Sequence, residues 1–85
     1  MAYTNKFAGR GLRELRNNLG LTMHDVCELT RETAKLYCNP YYVVSLTRLS
    51  DIERAGAIPN LYRLHSLAVA YGREMSELLT FYGIS

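Results

Sequence analysis

Ser45 opens a short run, Leu46-Thr-Arg-Leu-Ser-Asp-Ile-Glu-Arg54, whose hydrogen-bonding side chains are mostly small. At about 100° per residue in a helix, Leu49 and Ile52 define one side, while Thr47, Ser50, Asp51 and Arg54 define the other and Leu46 stands at the flank. A helix that only closes a core more often shows long Lys and Glu side chains to water. Small polar groups instead let the backbone come close to a second surface and exchange directional hydrogen bonds with it.

Other reactive side chains do not assemble into a site. His24 and Cys27 share a helix face and, with Cys38 and His65, invite a zinc reading, but there is no paired-cysteine knuckle and no metal is expected. Gly9 and Gly11 lack the third glycine and the preceding strand of a phosphate-binding loop. No nucleophile, base and orienting group occur as a set, so no catalytic residue, no cofactor and no enzyme activity are expected.

The elements that must hold the run from Ser45 are helices. Leu12, Leu15 and Leu19 recur at spacings of three and four from near Phe7, and Gly20 is placed to end that helix. Thr22-Met-His-Asp25 reads as a capping box opening a second helix, whose apolar line Met23, Val26, Leu29, Thr33 and Leu36 or Tyr37 runs until Asn39-Pro40 disfavours helix. The apolar segment 38–44 contains a turn signal and is expected to be an ordered connection. Ser45 caps a third helix, from about Leu46 to Arg54, closed by Gly56 and Pro59. Asn60 caps a fourth with Leu61, Leu64, Leu67, Ala68 and Tyr71 in one line, ended by Gly72. Met75, Leu78, Leu79 and Tyr82 outline a fifth, with Gly83 and Ile84 as its cap. Strand alternation and internal repeats are absent. The expectation is an all-α, five-helix bundle in a single domain spanning 1–85, with its core at about 7–82.

Composition agrees with a packed fold, at 48% hydrophobic and 21% charged residues. No apolar run approaches the roughly 18 residues of a membrane span, and the first residues lack the apolar core of a secretory signal, so a cytoplasmic protein with no membrane partner is expected. The net charge of +2 is mild. Eight of the ten cations are arginine, whose flat fork suits phosphates and guanine edges.

The run Leu12-Arg-Glu-Leu-Arg16, then Gly20-Leu-Thr22, Val44-Ser45, Leu49-Ser-Asp-Ile-Glu-Arg-Ala-Gly56, Ile58-Pro59 and the stripe from Leu61 to Tyr71 resembles the Cro and phage-repressor (XRE) class of helix-turn-helix domains, lambda-repressor-like. The resemblance covers most of Gly9 to Leu79. It implies a compact five-helix bundle, dimeric on double-stranded DNA, whose third helix enters the major groove of a regulatory site. Carried onto this chain, it assigns Leu46, Thr47 and Asp51, with Ser50 on the same face, to base edges. Arg48, Arg54, Asn60 and Thr22 become phosphate contacts, and Arg16 with Glu53 a structural ion pair.

Two departures stand out. Met23 occupies a position where the family typically has a phosphate-touching glutamine. About a dozen extra residues separate Cys27 from Val44, beyond the usual three- to four-residue turn. Arg31 and Lys35 lie one turn apart on this extension and reach either a flanking phosphate or Glu28 and Glu32 on a solvated face. Tyr37, Tyr41 and Tyr42 either fill the gap beside the longer helix or anchor a partner. Two functions therefore compete: a sequence-specific DNA-binding transcriptional regulator acting as a homodimer, and an antitoxin-like or adaptor module that uses the tyrosine-rich 37–42 extension to hold a protein partner.

Overall fold

The computed structural model describes residues 4–84. Each helix starts where a side chain takes over the free amides of its first turn. Asn5 accepts from the Ala8 amide at 2.9 Å and opens α1 (Lys6–Asn18). Thr22 and Asp25 exchange bonds of 2.9 and 3.0 Å, the reciprocal box read from the sequence, and open α2 (Met23–Tyr37). Ser45 accepts from Arg48 at 3.2 Å ahead of α3 (Leu46–Ser50), and Asn60 accepts from Arg63 at 2.9 Å ahead of α4 (Leu61–Tyr71). Glu74 and Glu77 bracket the start of α5 (Met75–Phe81). Five α-helices, one 3₁₀ turn, one π-helical turn and a one-pair backbone bridge, Thr4 to Ala57, account for the regular structure of the described residues. No helix among them is long and apolar enough to cross a membrane.

The core joins all five helices through Leu12, Val26, Val44, Leu49, Ile52, Leu64, Leu67, Ala68, Tyr71 and Leu78. Three expected core positions are corrected. Leu19, at the C-cap of α1, is 41% exposed, Leu36 77% and Leu61 70%. On α2 the buried line runs Val26, Cys27, Thr30, Thr33 and Ala34, and at about 100° per residue Leu36 has turned away from it. The line contains small side chains because α2 lies against α4 there. Leu61 sits in the first turn of α4, where there is no neighbouring helix to cover it.

The extra residues between α2 and α3 are used in two ways. The helix runs on to Tyr37, and Cys38 turns the chain in the left-handed region at φ 52°. A 3₁₀ turn, Pro40–Tyr42, follows, capped by Asn39. Three side chains tie this connection down. The buried Thr30 hydroxyl accepts from the Val44 amide at 3.0 Å and donates to the Cys27 carbonyl at 2.8 Å. Ser66 donates to the Tyr42 carbonyl at 2.6 Å, and Arg63 Nε to the Val43 carbonyl at 3.1 Å. Tyr42 lies between Tyr37, its ring centroid 5.0 Å away, and Tyr62 and His65 of α4 at 5.4 and 5.6 Å. Tyr42 thus fills the space between the lengthened α2 and α4, while Tyr37 and Tyr41 are 50% and 60% exposed.

Candidate nucleic-acid interface

α3 buries Leu49 and leaves Thr47, Arg48 and Asp51 exposed, with Leu46 half exposed and Ser50 partly covered. After Ser50 the coil widens into a π-helical turn, Asp51–Ala55, in which the Gly56 amide bonds back to the Asp51 carbonyl. A sequence pattern that assumes regular α spacing does not reveal this. Within it Ile52 and Glu53 are buried while Asp51 and Arg54 stay outside.

Glu53 is held by a two-pronged ion pair. Arg16 Nε reaches Oε2 at 2.7 Å and Nη2 reaches Oε1 at 2.9 Å, while Nη1 donates to the Leu21 carbonyl at 2.9 Å. The hydrogen bond to Glu53 pushes the Arg16 guanidinium pKa upward and outweighs the opposing effect of burial. The end of α3 is fixed to α1 a second time by backbone contact. A Cβ placed on Gly9 would lie under 3.0 Å from the Ile52 and Glu53 carbonyl oxygens, so only glycine admits this approach. The Asn5 amide donates to the Gly56 carbonyl at 2.6 Å.

Grooves run on both sides of the exposed α3 face. One, of about 90 Å³, is lined by Arg48, Asp51, Asn60 and Arg63 among others. The other, of about 270 Å³, is lined by Lys6, Arg10, Arg13, Glu53 and Arg54. Six of the ten cations therefore flank α3, and among the described residues none of the six has a carboxylate oxygen within 4.0 Å. In the first groove, partial burial and then the charge of Arg48 lower the Arg63 pKa, the mark of two arginines facing each other without an anion.

The structure brings Leu46, Thr47, Arg48, Ser50, Asp51, Arg54 and Asn60 to one end of the molecule. Asn60 spends its side-chain oxygen on the α4 cap and keeps its amide hydrogens. Thr22 accepts from Asp25 and keeps its hydroxyl hydrogen for an outside acceptor. Arg31 and Lys35 stand apart. They line a shallow depression with Cys38, Asn39, Pro40 and Val43, and Arg31 is bound to Glu28 at 3.0 Å. The Glu32 pairing expected for this face is not formed. Lys6, Arg10, Arg13 and Arg63 were missed by sequence reasoning. The α1 trio carried a signal in its spacing of four and three, but what that face looks onto depends on the tertiary approach at Gly9. Cys27 is buried, which pushes its thiol pKa up, and Cys38 is on the surface. No group of three His, Cys, Asp or Glu side chains among the described residues could hold a metal ion.

Residues 8–81 match the helix-turn-helix domain family. The chain belongs to that family. This helix-turn-helix domain is also 36% identical over 75 residues to the HTH-type transcriptional regulator DdrOP3 of Deinococcus deserti, an alignment covering 85% of the chain and 49% of the relative. The chain thus spans about half the length of the curated relative it matches. No solved structure matches it. The all-α architecture expected from the sequence holds, with one difference inside the motif. In this helix-turn-helix domain the tight turn before the third helix is replaced by the anchored connection of residues 38–45.

Proposed function

We propose that the chain binds double-stranded DNA with sequence selectivity and regulates transcription, with α3 lying in the major groove. One observation carries the reading: the exposed polar face of α3 stands between two grooves of unneutralised cations. Thr47 donates to or accepts from a base edge, with Ser50 beside it. Asp51 accepts from a cytosine amino group, and Leu46 touches a thymine methyl. Arg48, Arg54, the Asn60 amide and the Thr22 hydroxyl hold phosphates and so set the register.

Two copies acting on a palindromic site complete the reading. The molecule measures 30 × 30 × 25 Å, so neighbours placed side by side present their α3 helices at close to the roughly 34 Å repeat of the duplex. The exposed Leu61, Tyr62 and Val69 of α4, beside an apolar groove of about 720 Å³, supply uncovered surface for such a pair. A module that holds an unrelated protein receives no support from the family match or the relative.

A binding-site selection with purified protein at about 150 mM salt tests the reading, because at low salt phosphate attraction alone imitates specificity. The parent is expected to enrich a motif with two halves about 10 base pairs apart. Thr47→Ala and Asp51→Ala are each expected to relax one position of each half by about 1–3 kcal/mol. If both variants enrich the parent motif unchanged, α3 is not the reading element.

A further inference from the structure

Lys6, Arg10 and Arg13 lie outside every contact assigned so far. Their spacing of four and three puts them on one face of α1, and all three are exposed. Arg54 closes the same groove from the far side. The groove's carboxylate, Glu53, is already bound to Arg16. The Arg10 guanidinium lies 5.9 Å over the Phe7 ring, which limits its freedom. These charges are also held at a fixed offset from α3, since α1 is locked to the recognition turn at Gly9 and at the Asn5 to Gly56 bond. Like charges on a rigid surface repel one another, and the repulsion is relieved when a polyanion supplies the missing counter-charge.

We propose that this groove is a second site for the DNA backbone, in which Lys6, Arg10, Arg13 and Arg54 hold the phosphodiesters next to the segment read by α3. The proposal rests on the DNA-binding reading and extends the contact to an element outside the helix-turn-helix. Length selects the ligand. The α1 cations spread over about 10 Å of helix. One DNA strand presents about three phosphates over that distance, whereas a single free phosphate is too small to span it.

The test measures affinity for one fixed duplex, the same for every protein, by fluorescence anisotropy across about 50–300 mM salt, where each neutralised phosphate adds about 0.9 to the slope of log affinity against log salt. The Arg10→Gln/Arg13→Gln protein is expected to lose about 2 from that slope, and affinity roughly ten- to a hundredfold, with the same motif enriched. A matched protein, Ser76→Glu/Thr80→Glu, has the same net charge and is expected to keep a slope within about 0.5 of the parent. All four positions are exposed, and thermal melting by circular dichroism verifies that both variants fold. A parent-like slope in the Arg10/Arg13 variant, or an equal loss in both variants, overturns the proposal. If the slope falls as expected but the parent enriches no motif, the backbone site stands and base reading by α3 fails. A parent that binds no duplex at about 50 mM salt overturns both.

Discussion

Glu53 is a carboxylate with 2% of its side chain exposed, and both hydrogen bonds to its oxygens come from a residue 37 positions earlier in the chain. Taking both charges out of water costs about as much as their attraction returns, so the pair adds little net stability while making each partner indispensable to the other. Glu53→Ala is therefore expected to lower the unfolding free energy by about 3 kcal/mol, and the double change Arg16→Met/Glu53→Leu to recover most of that loss. Urea denaturation of the three proteins checks this, and equal losses in the single and double variants would contradict it. A pair this distant in sequence has no local signature, and it was legible only through the resemblance of two short stretches to a known family. Caps behave differently. Thr22, Ser45 and Asn60 were readable by type, because a free amide and its acceptor are three residues apart wherever the chain goes next. The four missed cations show the limit. Periodicity tells which side of α1 is wet but not what that side faces.

The connection between α2 and α3 works as an element although little of it is regular. Its backbone is held by a threonine of α2 and by a serine and an arginine of α4. Thr30→Val keeps the shape of the side chain but leaves the buried Val44 amide without its acceptor, at an expected cost of about 1–3 kcal/mol. Amide hydrogen exchange should localise the effect to residues 39–45, and uniform faster exchange across all five helices would argue against the tether. That an ordered segment lay here was legible from its apolar character and its turn signal. The anchoring was not, since Thr30 and Ser66 look like interruptions of apolar lines until the two helices are brought together. Leu36 and Leu61 were misread for the converse reason: an apolar side chain marks a face as buried only where another element arrives to cover it. The π-helical turn at Asp51 lay outside any pattern built on one regular period.

Across the whole molecule, six of the ten cations line the two grooves of Arg48 and Arg54, and the enclosed aromatic hydroxyls belong to the core. The hydroxyls of Tyr71 and Tyr82 have no protein hydrogen-bond partner. Burial pushes Tyr82 up to about 12, and it pushes Tyr71 upward as well, helped by the negative charge of Glu53 and opposed by Arg16. In the unfolded chain both ionise near about 10. The folded protein thus holds protons that the unfolded chain releases. The stabilisation from this difference is complete below about pH 10 and disappears as pH climbs through the folded values. Denaturation curves from about pH 8 to about pH 11 are expected to show stability falling above pH 10, less steeply in Tyr82→Phe than in the parent. Parallel curves for the two proteins would rule this out.

The backbone contact at Gly9 has a thermodynamic consequence. With no side chain between α1 and the recognition turn, the two elements move as one body, and engaging a duplex orders no further segment between them. Association that folds part of a protein shows a large negative heat-capacity change from surface buried in the folding itself. This chain has already buried that surface, so the heat-capacity change on complex formation carries no contribution from folding between these two elements.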